Sequence, residues 1–309
     1  MVIGELFHVA HVVDDLAAAE AWYDAVFAPV VLFHRHESPL DHRTASLLLV
    51  ADFPVEPMAP HPGPAGEAGT IGRFRRRFGT GLHSLAFYCD SVAEGYERFR
   101  ALGIRVTGDG GVPLEGPPAR GGIYTHPRDS FGLIELMEPR VAGTGGAPVG
   151  DTLGECYDPR LLGRHDASRW EHGHPLGLRR TSHLTVVVDD LDRALQVYVD
   201  ALQAVPFHEA ATSARASVWC LVGPSTVVEL ARPREGTEEA DALARDGAML
   251  RGVTFLVRDL DAAAAHLEEA TPPATTLRRE GDRLVLDPGC AFGARYAFVD
   301  HPVPGDPRP

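Results

Sequence analysis

The sequence predicts an α+β chain built from four copies of one β-α-β-β-β module. Three observations carry that prediction. First, the start of a strand-and-helix unit recurs: His8-Val9-Ala10-His11-Val12-Val13-Asp14-Asp15-Leu16 in copy one matches His183-Leu184-Thr185-Val186-Val187-Val188-Asp189-Asp190-Leu191 in copy three. Second, Ser84-Leu85-Ala86-Phe87-Tyr88-Cys89-Asp90-Ser91-Val92 and Gly252-Val253-Thr254-Phe255-Leu256-Val257-Arg258-Asp259-Leu260 keep the frame without the histidine. Third, short apolar strands follow each helix. Repeats of this kind settle architecture before local propensity does.

The elements follow in order. In copy one the helix carries Leu16, Ala19, Trp22, Tyr23, Val26 and Phe27 at helical spacing, with Asp14 or Asp15 as its N-cap. Copy two runs from Val92 to Leu102 and stops at Gly103, a C′ glycine ahead of the strand Ile104-Arg105-Val106. In copy three Leu191, Leu195, Val197, Tyr198 and Leu202 form the apolar face, and copy four runs from Leu260 through Leu267. The clearest later strands are 46–50, 132–136, 217–221 and 295–299. The repeat divides the chain into residues 1–140 and 178–309, each holding two modules, the last of them degenerate. Residues 141–177 form a connector, with a short helix expected around Asp158–Arg169. A connector this long leaves open which modules pair.

Composition excludes several function classes. At 309 residues the chain has room for two domains, and a net charge of −14 argues against a nucleic-acid footprint. The basic cluster Arg73-Phe74-Arg75-Arg76-Arg77 is short and reads as a solvated helix face, not a phosphate clamp. No apolar run approaches the ~20 residues of a membrane helix. The start of the sequence lacks the basic and apolar segments of a signal peptide, so a cytoplasmic location is expected. Cys89, Cys156, Cys220 and Cys290 have no CxxC spacing and read as small buried hydrophobes, not as a disulfide frame or zinc knuckle.

Together, the repeat, the histidine opening its first strand and a glutamate in its last strand resemble the vicinal oxygen chelate superfamily. That group includes glyoxalase I, methylmalonyl-CoA epimerase, fosfomycin and bleomycin resistance proteins and extradiol dioxygenases. The N-terminal half is similar to methylmalonyl-CoA epimerase. Gly81-Leu82-His83-Ser84-Leu85-Ala86-Phe87 stands where that family has Gly-Leu-His-His. Residues 124–136, with His126-Pro127-Arg128 and Gly132-Leu133-Ile134-Glu135-Leu136, stand where it has a His-Pro-Lys segment ending in Gly-Val-Leu-Ile-Glu-Leu. Pro54-Val55-Glu56-Pro57-Met58-Ala59-Pro60 resembles the segment bearing a glutamine ligand.

The resemblance implies two glyoxalase-like domains, a small-molecule substrate and one divalent ion (Zn, Mn, Co, Ni or Fe) held by residues of the first and last strands. Carried over position by position, His8, Glu56 and Glu135 fall on ligand positions, and Ser84 stands where the family has histidine. Alternation along a strand sends His83 to the opposite face from Ser84, so His83 cannot substitute for it without a bulge. In the second half His183 and Glu229 hold equivalent positions, but Gly252 and Ala297 cannot ligate. If modules two and three paired across the connector, the site would instead comprise Glu135, His183 and Glu229. The other histidines (His11, His34, His36, His42, His61, His165, His172 and His174) are not expected to be ligands, and His11 faces away from His8.

The expected activity is that of an epimerase or isomerase, with Glu56 or Glu135 doubling as catalytic base. Epimerases of cyclitol ketones such as 2-epi-5-epi-valiolone resemble the chain in length and layout. A coenzyme A substrate is disfavoured because no strong phosphate-binding cluster accompanies the site. The rival classes are a metal-free ligand-sequestering protein of the resistance type and an extradiol-type dioxygenase. The two-donor second half argues against the latter, since that family builds its iron site there. A homodimer is compatible with this reading.

Overall fold

A computed structural model of the chain describes residues 1–119, 121–139, 158–271 and 277–309. The first half runs β1 (Ile3–Val12), α1 (Leu16–Phe27), β2 (Val30–Ser38), β3 (Arg43–Val50), β4 (Phe53–Pro60), α2 (Pro64–Ala68), α3 (Thr70–Phe78), β5 (Gly81–Cys89), α4 (Val92–Ala101), β6 (Val106–Thr107), β7 (Ile123–Thr125), α5 (Pro127–Ser130) and β8 (Leu133–Met137). The second runs β9 (Leu178–Val187), α6 (Leu191–Leu202), β10 (Val205–Ala211), β11 (Arg215–Val222), β12 (Thr226–Pro233), α7 (Glu238–Asp246), β13 (Met249–Val257), α8 (Leu260–Ala270), β14 (Leu277–Glu280), β15 (Arg283–Leu286) and β16 (Arg295–Val299).

Among the described residues these strands form two eight-stranded sheets, ordered β2-β3-β4-β1-β5-β8-β7-β6 and β10-β11-β12-β9-β13-β16-β15-β14. Modules therefore pair in sequential order: β1 lies antiparallel to β5, and β9 to β13. The fold is the α+β, glyoxalase-like arrangement of the vicinal oxygen chelate type.

The recurring acidic pair does the same local work in each copy. Asp15, Asp190 and Asp259 accept backbone N–H bonds from the first turns of α1, α6 and α8, and Ser91 does so for α4. Such caps satisfy donors that the helix itself leaves free. The apolar faces of the helices then pack onto the sheets, and one core runs through both halves. Phe27 of α1 meets Phe255 of β13 at 5.4 Å, and Trp22 stacks on Tyr296 of β16 at 5.7 Å. Trp170 is buried and donates its indole N–H to the Phe27 carbonyl at 2.7 Å.

The connector departs from expectation where it is described. Residues 159–163 form a turn, and the helical turn comes later, over Arg169–Gly173. Asp158 accepts the Arg160 N–H, and Gly163 at φ 63° breaks the turn, so the segment caps where a helix would extend. Cys156 and the rest of the connector's first part lie outside the described residues. Cys89 and Cys220 are buried thiols, as their strand positions predict, but Cys290 is only half-buried, against expectation, because it ends the short turn Pro288–Cys290 and not a core strand. The arginine cluster lies on α3, where Arg75 pairs with Asp14 at 2.7 Å and Arg76 with Glu67 at 3.2 Å.

Candidate metal centre

The register of the first sheet sets three donors around two alanines. His8 on β1 lies opposite Ala86 on β5, and Ala86 is in turn the partner of Glu135 on β8. One row along, Glu56 on β4 partners Ala10, which partners Ser84. Both alanines are fully buried; Ala10 lines open space above the central strands, while Ala86 packs with Phe7 and Tyr88. The longer side chains on either side close across that space. His8 Nε2 stands 3.4 Å from Glu56 Oε2 and 3.4 Å from Glu135 Oε2, with all three side chains buried.

Arg43 opens β3 and reaches the same place, donating to Glu56 Oε1 at 2.8 Å. Glu56 Oε2 has no hydrogen-bond partner among the described residues. Arg43 also pairs with Asp41 at 3.7 Å, so three carboxylates line the cavity beside one arginine and negative charge is in excess. Burial alone would push the His8 imidazole down, but Glu56 and Glu135 together outweigh it and hold His8 above its ordinary value. Glu56 would be raised by burial, yet Arg43 and His8 keep it below the usual range.

His8, Arg43, Glu56, Glu135, His83 and Tyr124 line a cavity of about 90 Å³, with Ala10, Met58 and Ile71 on its apolar side. That is room for several waters or a small molecule. His83 lies on this wall against expectation, and a β-bulge explains it. Ala10 pairs with Ser84 and His11 with Leu82, so His83 is the extra residue on β5. A bulge breaks the alternation of faces, and both His83 and Ser84 line the cavity, joined by a 3.1 Å hydrogen bond. Burial, aided by Arg43, depresses His83 to about 4. Tyr124 donates to Asp109 Oδ1 at 3.2 Å, and burial together with Glu135 raises its phenol well above the ordinary value.

The second sheet assembles less. His183 Nε2 stands 3.6 Å from Glu229 Oε2, but Glu229 is fully buried and its charge is already matched by an arginine, although its Oε1, like Glu56 Oε2, has no hydrogen-bond partner among the described residues. Arg215 pairs with its Oε1 at 2.9 Å, and the Thr185 hydroxyl donates to Oε2 at 2.7 Å. Glu135 sits with His8 in the other sheet, so the crossed set of Glu135, His183 and Glu229 is not brought together; the β1–β5 ladder fixes Glu135 to the first half. His11 faces away from the cavity, as its spacing predicts, hydrogen-bonded to the Tyr23 hydroxyl at 2.8 Å and the Phe292 carbonyl at 3.0 Å.

Comparison with known proteins matches residues 7–119 and 182–282 to the Glyoxalase/Bleomycin resistance protein/Dioxygenase superfamily, which is most of the chain. The chain belongs to this superfamily. A relative from Cereibacter sphaeroides, ethylmalonyl-CoA/methylmalonyl-CoA epimerase, is 30% identical over 139 residues, covering 44% of this chain and 98% of that protein. The N-terminal half is the part that resembles methylmalonyl-CoA epimerase. A mutant 4-hydroxymandelate synthase from Streptomyces coelicolor shares the fold across 96% of this chain and 92% of its own, at 14% identity and a TM-score of 0.63. A xylose isomerase-like TIM barrel/4-hydroxyphenylpyruvate dioxygenase fusion protein covers 99% of this chain with 50% of its own, at 14% identity and a TM-score of 0.56.

Members of the glyoxalase superfamily commonly use a divalent metal ion. Among the described residues no three histidine, cysteine or carboxylate side chains stand in a ready-made ion cluster. The chemistry of the donor set nonetheless fits one. Ligands ~2.1 Å from an ion stand roughly 3.0–3.4 Å from each other, and both His8–carboxylate approaches measure 3.4 Å. The unbonded Glu56 Oε2 and the excess negative charge point the same way. No helix among the described residues is long and apolar enough to cross a membrane.

Sequence reasoning missed Arg43 and Tyr124, and admitted His83 only by way of a bulge, which the structure contains. Arg43 had a signal, because Arg215 opens β11 as Arg43 opens β3. The bulge at His83 has none in periodicity.

Proposed function

We propose that this chain is a divalent-metal-dependent epimerase or isomerase of a small hydroxy-ketone-like substrate, of the cyclitol ketone type, with His8, Glu56 and Glu135 holding the ion. The observation that supports it most is the convergence of these three donors on one small cavity, with a surplus negative charge that a cation would neutralise. When bound, the ion supplies Lewis-acid polarisation of a substrate carbonyl and steadies the enolate charge that develops next to it.

The protein's own groups divide the remaining work. Arg43 fixes Glu56 and lowers its appetite for protons, which makes Glu56 the poorer base. Glu135 has no arginine partner among the described residues and faces the cavity, so the proton next to the carbonyl passes to Glu135. His83, turned in by the bulge, and Tyr124 offer hydrogen bonds to substrate hydroxyls from the same walls. Met58 and Ile71 exclude water from one side.

The test is metal content and proton exchange on one preparation. Protein stripped with chelator and titrated with Mn²⁺, Zn²⁺, Co²⁺, Ni²⁺ or Fe²⁺ should take up about one ion per chain, since one cleft gathers three donors. The loaded protein should then exchange the proton α to the carbonyl of 2-epi-5-epi-valiolone in D₂O, read by NMR. No uptake under metal-replete conditions, or two ions per chain, overturns the reading. Oxygen uptake on a catechol with Fe²⁺ would assign a dioxygenase in its place.

A further inference from the structure

Each pair of modules is followed by the same tripeptide, Asp158-Pro159-Arg160 and Asp306-Pro307-Arg308. Both fold into the same device. In each, the arginine forks back onto its own aspartate, Nε to Oδ1 at 3.0 Å and Nη2 to Oδ2 at 2.6 Å in the first and 2.8 Å in the second. All four side chains are nearly buried. The donors left over reach main-chain carbonyls. Arg160 donates to Leu6 on β1 at 2.7 Å and to Asp52, in the β3–β4 turn, at 3.2 Å. Arg308 donates to Thr181 at 3.0 Å and to Ser182, both on β9, and to Ser225, in the β11–β12 turn, at 2.8 Å.

The two devices interlock. The Asp52 carboxylate accepts from the Thr181 N–H at 2.7 Å and its hydroxyl at 2.9 Å, and the Ser225 hydroxyl donates to Glu5, next to Leu6. A ring results: Arg160, Asp52, Thr181, Arg308, Ser225, Glu5 and back to Leu6. Gly223, at φ 61°, lets the second turn seat on β1, because a Cβ there would stand 2.2 Å from the Gly4 carbonyl. Leu6 lies two residues before His8 and Asp52 four before Glu56. One guanidinium thus ties the strands that carry two of the three donors.

We propose that the paired Asp-Pro-Arg segments form a clasp in which Arg160 is a positioning residue for His8 and Glu56, and Arg308 steadies the same strands from the other half. The positioning role rests on the metal reading above; the clasp itself does not. Lysine cannot fork onto a carboxylate and two carbonyls at once, so Arg160→Lys and Arg308→Lys keep the charge and stem while opening the ring.

Hydrogen–deuterium exchange of the metal-free full chain reads the clasp, and a Mn²⁺ titration followed by electron paramagnetic resonance reads the site. Arg160→Lys should speed exchange over residues 6–10 and 53–56 and weaken Mn²⁺ binding roughly 10–100-fold. Arg308→Lys should speed exchange over the same first-half segments and weaken binding roughly 2–30-fold. Val197→Ala, a core change in α6, should lower the melting temperature without altering either readout. Exchange in β1 and β4 no faster than in Val197→Ala overturns the clasp. Faster exchange with unaltered Mn²⁺ affinity overturns the positioning role. If the unsubstituted protein binds no Mn²⁺, the metal reading and the positioning role fall together, and the exchange data still decide the clasp.

Discussion

The two halves carry the same cleft built to different ends. Arg43–Glu56 and His8–Glu56 in the first repeat as Arg215–Glu229 and His183–Glu229 in the second, at nearly equal distances. What differs is the floor and the third donor. Where the first sheet sets Ala10, Ala86 and Glu135, the second sets Thr185, Thr254 and Ala297 in the same register. The histidines report the consequence. His8, between two carboxylates, is held above its ordinary value, whereas burial and the nearby Arg215, Arg308 and Arg283 push His183 to about 4. One cleft is short of positive charge and the other is already neutral. A cation is worth something only in the first.

The largest test of that contrast removes the residue that makes it. Glu135→Ala should abolish stoichiometric metal binding and activity, because it leaves two donors, the number the second cleft has. His8→Ala should do the same, while His183→Ala should leave metal content and turnover within about twofold, the scatter expected of a site-remote change. Metal analysis of the three variants, beside their melting curves without metal, decides it. Full occupancy in Glu135→Ala would mean that the strand glutamate is a bystander.

Much of this contrast is readable in the chain and some is not. The repeat frame, the capping aspartates and the loss of ligating residues at Gly252 and Ala297 are local in sequence, so periodicity and motif spacing expose them. The partner of a module is not local. Only the β1–β5 ladder shows that Glu135 joins His8 and not His183. The bulge that turns His83 inward changes one backbone register and leaves the hydrophobic pattern intact, so alternation predicts the wrong face. The Asp-Pro-Arg repeat was visible as three letters, but its meaning lies in carbonyls of distant strands.

A second, smaller effect sharpens the comparison through the arginines. Arg215→Met should destabilise the fold by about 3–5 kcal/mol, the usual result of stranding a buried charge, with or without metal. Arg43→Met should cost a similar amount in the metal-free protein, but much less when Mn²⁺ is bound, because the ion takes over the neutralising of Glu56. Urea denaturation with and without Mn²⁺ measures both. Equal losses for Arg43→Met in the two conditions would show that the first cleft, like the second, relies on its arginine alone.

The smallest expected effect concerns the outer face of the same strands. His11, behind the site, has Val186 as its counterpart in β9. Its Nε2–H donates to the Phe292 carbonyl and its Nδ1 accepts from Tyr23, whose oxygen is also 2.6 Å from the Tyr296 hydroxyl. Burial, only partly offset by the Phe292 bond, lowers the imidazole to about 4. A histidine depressed in the folded state binds a proton more readily when unfolded. Stability therefore declines as pH falls below the ordinary value near 6.5 and levels off near the folded value. The loss should reach about 1 kcal/mol by pH 5.5. His11→Gln, which has no proton to gain, should flatten the metal-free stability curve between pH 7.5 and 5.5 by about that amount. Parallel curves for the two proteins would mean that His11 takes up a proton without loosening the aromatic contact it makes between the halves.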